Sequence, residues 1–221
     1  LIGKGAAEWL RCQISGALPK IGRMNLGYFS DSRGRIVTEV TIIRFAEDEF
    51  LLMTAAVAQW HDFEFLKKAL PSNGELKLID VTKEYSTLLL TGPNSRNILE
   101  SITEDADLSL GWLTHQDVTV CGVNAKLFRI SFAGELGWEL HMPRGSALAV
   151  YDALWAAGEA YGLTDYGSFA MNAMRMEKAF KGAGELTNEV TLPEADVMRF
   201  VKLDKDFLGK AETQASSAGD L

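Results

Sequence analysis

Apolar residues recur at helical spacing through Trp9, Leu10 and Ile14, which predicts a first helix over about Gly5 to Ile14. Two alternating runs follow, Met24–Phe29 and Ile36–Phe45, separated by the turn signal Ser32-Arg33-Gly34. A second turn, Ala46-Glu47-Asp48-Glu49, leads into a short apolar strand at Phe50–Thr54. Trp60, Phe63, Leu66 and Leu70 then mark an amphipathic helix over Ala58–Leu70, ended by Pro71-Ser72-Asn73-Gly74. A strand at Leu76–Val81 closes the first half.

The second half repeats the plan. A strand at Leu88–Thr91 passes through Gly92-Pro93-Asn94-Ser95 into a helix ending at Ile102. Strands near Val118–Val120, Lys126–Phe132 and Gly137–Met142 precede a helix over Ser146–Ala160. In both halves a glycine after a strand, Gly3 or Gly92, precedes an apolar pair, Trp9-Leu10 or Ile98-Leu99. The pattern predicts a duplicated α+β unit of strand, helix, strands, helix. The expected boundaries are residues 1–85 and 86–212. A further helix over Ser168–Phe180 should bury Phe169, Ala173, Met176 and Phe180, and a strand is expected at Met198–Leu203. From Thr213 the composition turns small and polar, so 213–221 reads as a frayed end.

Composition narrows the function. The chain has 22 Lys and Arg against 30 Asp and Glu, a net charge of -8, with no basic stripe to attract a phosphate backbone. Nucleic acid is thereby disfavoured as a partner. No apolar run approaches the roughly 18–20 residues that cross a bilayer, so no membrane association is expected. Cys12 and Cys121 form no CxxC pair, and His61, His115 and His141 are scattered, which gives a metal site no support. Isolated thiols suit a reducing compartment: the cytoplasm, or the mitochondrial matrix in a eukaryote. Leu1-Ile2-Gly3 resembles the end of a strand, and the sequence reads as a piece of a longer protein.

Three charged residues stand out. Glu39 lies in the alternating run with Val37, Thr41 and Ile43 on its face, while Ile36, Thr38, Val40 and Ile42 take the other. It is either half-buried on a mostly apolar face or exposed on an edge strand. In Gly137-Trp138-Glu139-Leu140-His141-Met142, the residues Trp138, Leu140 and Met142 share one face. Glu139 points the other way beside Gly137, which has no side chain to obstruct a ligand. A carboxylate there could accept two parallel N–H bonds from a planar heterocycle, or be an ordinary surface glutamate. Arg175 shares a helix face with Met171 and Met174, and an ion pair with Glu177 or Glu185 is its plain alternative. Phosphate loops, dinucleotide fingerprints and nucleophile elbows are missing from the sequence.

The stretches Arg129–Leu140 and Tyr166–Phe180 resemble the glycine-cleavage T-protein (aminomethyltransferase) family, most closely its dimethylglycine and sarcosine dehydrogenase branch. Gly34–Thr41 and Phe200–Lys210 are similar to the same branch, in the same order along the chain. The resemblance implies a folate-binding fold with tetrahydrofolate as cofactor, and transfer of a one-carbon unit from a small-molecule donor. It implies that Glu139 holds the pterin edge and that Glu39 lies near the nitrogens receiving the carbon. Arg175, Phe132 and Met53 are implied as further folate contacts. An upstream flavin oxidoreductase domain would generate the acceptor's substrate, and a C-terminal barrel would follow. Glu39 stands where T-proteins proper have Asp, and Phe132 where relatives often have Tyr. A non-catalytic folate-binding protein of the same fold, marked elsewhere by a cysteine motif, and a folate-dependent demethylase are the alternatives.

Overall fold

The computed structural model describes residues 1–218. They form two compact units: Leu1–Ile79 together with the segment from Lys181 onward, and Asp80–Phe180. The expected boundary at 85/86 therefore moves to 79/80, and residues 181–212 leave the second unit for the first. The reason lies in contacts far apart in sequence. The Ile36 N–H donates to the Val190 carbonyl (3.0 Å), and the Lys202 N–H to that of Ser15 (2.8 Å). Leu186, Leu192, Val197 and Phe207 bury themselves around Tyr28 and Ile36.

In the first unit α1 (Ala6–Gln13) precedes three strands, β1 (Met24–Ser30), β2 (Ile36–Ala46) and β3 (Glu49–Met53), and then α2 (Gln59–Ala69). The strands make an antiparallel sheet in sequence order. No side chain of its own caps the start of α1. Asp48, in the β2–β3 turn, accepts from the Gly5 and Ala7 N–H groups at 3.0 and 2.9 Å, placing a negative charge at the helix's positive end. One sheet face carries Phe29, Val40 and Ile42 onto Leu10, Ile14 and Leu66 of the helices. Within this core the Asp62 carboxylate is buried and accepts from the Thr38 hydroxyl at 2.8 Å.

Three expectations change here. A β-bulge between Phe29 and Ser30 leaves Val37 as an extra residue on β2, which flips the alternation. Ile36 joins the cluster around Tyr28 and Val37 packs toward the helices, the reverse of strict period two. The strand expected at Leu76–Val81 shrinks to a bridge between Lys77 and Ile2. Met198–Phe200 is a 3₁₀ turn rather than a strand: it laps Phe200 over Tyr28, with ring centroids 5.7 Å apart.

The end of the chain is also ordered further than its composition suggests. A helix, here α6, spans Lys210–Ala218, so the frayed reading fails over 213–218; residues 219–221 lie outside the described residues. Thr213 is wholly buried, and its hydroxyl donates to the Gly209 carbonyl at 2.8 Å. Gly209 in turn lies against the β1–β2 turn at Asp31 and Gly34.

The second unit contains β4 (Tyr85–Thr91), α3 (Ser95–Ile102), β5 (His115–Val120), β6 (Val123–Phe128), β7 (Gly137–Pro143), α4 (Ala147–Gly158) and α5 (Ser168–Glu177). Its antiparallel sheet runs β4-β7-β6-β5. Trp138, Leu140 and Met142 of β7 face α3 and α4 through Ile98, Leu99, Val150 and Leu154. Ile2 bridges to Glu49 of β3, so the first unit reads Ile2, β3, β2, β1 in the same spatial order. The two units thus share one plan, as the duplicated pattern predicts. Strand β6 stops at Phe128, four residues early, and 129–136 form a loop. On α5 the expected core stripe is wrong: Phe169 is 92% exposed and Met176 53%, while Arg175 is the buried residue.

Candidate functional site

In the first unit, cross-strand pairing sets Tyr28 directly opposite Glu39. Paired residues share a face, and so do alternate ones, which adds Thr41 and its partner Met53 to the same side. Glu39 is therefore half-buried on a covered face, not an edge glutamate. Burial raises its carboxyl above the usual range, and the Tyr28 hydroxyl, donating to it, offsets part of that rise. The Tyr28 phenol is pushed up by burial first and then by the neighbouring Glu39 charge.

In the second unit Glu139 projects from β7 away from the core, with Leu89 on one side and Phe128 on the other as its register partners. Its Oε2 lies 3.1 Å from His141 Nε2, two residues along the strand and hence on the same face. His141 Nδ1 lies 3.2 Å from the Thr87 hydroxyl of β4. The side chains of Glu139 and His141 are 16% and 11% exposed. Oε1 of Glu139 has no hydrogen bond among the described residues.

The loop 129–136 braces this strand. Arg129 lies over the Trp138 and Trp112 rings, at 5.0 and 5.7 Å, and its Nη1 donates to the Gly137 carbonyl at 2.9 Å. Burial, with the charge of Arg96, draws its guanidinium below the ordinary arginine value. The space beside Gly137 is not an open approach, as the sequence suggested: a Cβ there would meet the Ser131 side chain at 2.5 Å and Thr91 at 3.0 Å. Glycine is needed for the loop to fold back on the strand. The Ser131 hydroxyl is buried there without a hydrogen-bond partner among the described residues.

The structure divides the five expected residues between the units: Glu39 and Met53 in the first, Glu139, Phe132 and Arg175 in the second. Glu39 and Met53 share a sheet face. Phe132 sits in the loop, 39% exposed. Arg175 is held by its own helix and the turn after it, with Nε and Nη2 donating to Asn172 Oδ1 (2.9 and 2.7 Å) and Nη1 to the Phe180 carbonyl (2.8 Å). The sequence pattern singles out none of Tyr28, Thr87, His141 and Ser131 as site residues. Only His141 had a visible signal, its two-residue spacing from Glu139.

The described residues thus form two α+β units of one plan, each with a half-buried glutamate on its sheet. Residues 1–205 match the model of the GCVT N-terminal domain, and the chain belongs to that family. It is 34% identical to human mitochondrial dimethylglycine dehydrogenase across 99% of its own length, and spans only 26% of that relative. Against the aminomethyltransferase of Listeria monocytogenes it is 33% identical, covering 86% of this chain and 52% of the other. The crystal structure of glycine cleavage system aminomethyltransferase T from Bartonella henselae superposes with a TM-score of 0.85 at 25% identity, covering 98% of this chain and 59% of that one. The chain is thus an aminomethyltransferase-type domain, related to enzymes that include amine dehydrogenases.

Proposed function

We propose that the chain binds tetrahydrofolate and serves one-carbon transfer, as an aminomethyltransferase or as the folate module of a dimethylglycine- or sarcosine-type dehydrogenase. One observation carries this reading. Glu139 is a half-buried carboxylate with one oxygen held and the other without a hydrogen bond among the described residues, set between Leu89 and Phe128. An acceptor with an apolar surround fits a planar heterocycle whose ring N–H and amino group point the same way. Ser131, with its buried hydroxyl unpartnered among the described residues at the head of β7, offers a second polar group nearby.

When bound, tetrahydrofolate would supply the nucleophilic nitrogen that takes up a carbon at the formaldehyde level from a small-molecule donor. Glu139 accepts the pterin N–H groups and fixes the ring's orientation. Glu39 orients the ligand and stabilises positive charge developing at the transferred carbon; its raised pKa also fits it to hold a proton during the transfer. Phe132 and Met53 contribute contact surface, and Arg175, anchored through Asn172, supports the ligand's anionic end. The upstream partner on this reading is a flavin oxidoreductase domain, and the compartment is the cytoplasm or the mitochondrial matrix.

Anaerobic isothermal titration with tetrahydrofolate tests the reading. Saturable binding should weaken at least tenfold, about 1.4 kcal/mol, in Glu139→Ala. Binding unchanged in that variant removes Glu139 from the site. Failure of the wild type to bind, even joined to the domains that flank it in its relatives, overturns the function.

A further inference from the structure

We infer that His141 is a positioning residue for Glu139: it locks the carboxylate's plane so that the remaining acceptor sites face the ligand. This rests on the reading of Glu139 as the pterin grip. A carboxylate can only accept, so His141 Nε2 carries the hydrogen in its 3.1 Å contact with Oε2. In the neutral ring Nδ1 is then the acceptor, and the Thr87 hydroxyl at 3.2 Å donates to it. The order Thr87, His141, Glu139 therefore gives each of the two contacts one donor and one acceptor and assigns the tautomer. The ring is further held by Phe128, edge-on at 4.6 Å.

Other charged and titratable groups pack around this chain of bonds. Lys126 of β6 is the register partner of His141 and pairs with Asp117 of β5 at 2.7 Å. His115 meets the far side of Phe128 at 5.9 Å. Neither neighbouring strand places a second donor on Glu139 among the described residues. Its terminal torsion is thus set by His141 alone. A glutamate free to rotate must be ordered when ligand binds, whereas one already held is ordered in advance. The carboxylate keeps about four lone-pair sites and His141 takes one, so two parallel bonds to a heterocycle remain possible.

Two substitutions separate positioning from packing. Gln places its amide near the reach of Nε2 and retains the bond to Glu139. Asn reaches only toward Thr87. Both disturb the contact with Phe128 alike. Tetrahydrofolate binding should fall about three- to tenfold in His141→Asn and stay within about twofold of wild type in His141→Gln. Long-range ¹H–¹⁵N spectra of the ligand-free wild type should show a protonated Nε2 and a bare Nδ1, with Nδ1 shifting in Thr87→Val. Equal losses in the Asn and Gln variants, or a bare Nε2, overturn the role of His141 alone. A wild type that binds no folate removes the reading beneath it, whatever the spectra show.

Discussion

Glu39 shows how a single β-bulge can decide the chemistry of a side chain. Counting inward from the Ser30–Ile36 pair without the bulge sets Tyr28 opposite Thr38; the extra residue Val37 moves it opposite Glu39. No composition or periodicity signals that shift, so Glu39 was legible as a candidate and its phenolic partner was not. The partnership has a measurable sign. The folded carboxyl sits above its ordinary 4.5, so the stability linked to Glu39 is fully present below that value and is lost as pH rises through the folded pKa. Melting temperatures of wild type should decline across that window, and those of Glu39→Gln should not; parallel profiles would remove Glu39 as the cause. Tyr28→Phe deletes the donor, and carboxyl ¹³C titration should place Glu39 higher still. A pKa unmoved or lowered would mean the phenol is not donating.

At the scale of elements, strands and helices with strong periodicity were readable almost to the residue: α1, β1, β2, β3 and α3 lie where alternation or helical spacing put them. The readings that failed depend on what packs against an element. Met198–Leu203 is apolar enough for a strand yet serves as a lap over Tyr28, and α5 buries its arginine rather than its phenylalanine. Thr213 looked like part of a polar tail because nothing local shows that Gly209 nests against Gly34. That nest is a place where only glycine fits. Gly209 has φ +80, and a Cβ would stand 2.3 Å from the Asp31 carbonyl and 2.8 Å from the Gly34 backbone. Left-handed strain and overpacking together should make Gly209→Ala less stable by about 2–4 kcal/mol in urea unfolding. Gly184→Ala, with open space and no positive φ, serves as the control and should leave the midpoint in place.

At the scale of the molecule, the duplication was visible as two matched runs of elements, but the return of the chain to the first unit was not. Residues 181–207 supply five of the seven buried residues in the cluster around Tyr28 and Ile36. Their partners lie about 150 positions away, beyond any local pattern, as with Arg35 Nη1 donating to the Glu189 carbonyl at 2.7 Å. The second unit, 80–180, is continuous and carries its own core around Trp138. Expressed alone it should melt cooperatively by circular dichroism. The piece 1–79 should not, since Tyr28 and Ile36 would lack their cover; a cooperative transition in that piece would show the later segment to be dispensable.

The same connectivity fixes an order of events on the ribosome. The piece made first is the one that cannot be finished first, because its last layer is still unwritten while the second unit is already complete. At roughly 5–20 residues per second, the uncovered face of β1 and β2 waits on the order of ten seconds for the chain from Lys181 onward to emerge. Through that interval the sheet face around Tyr28 and Ile36 stands open in the nascent chain.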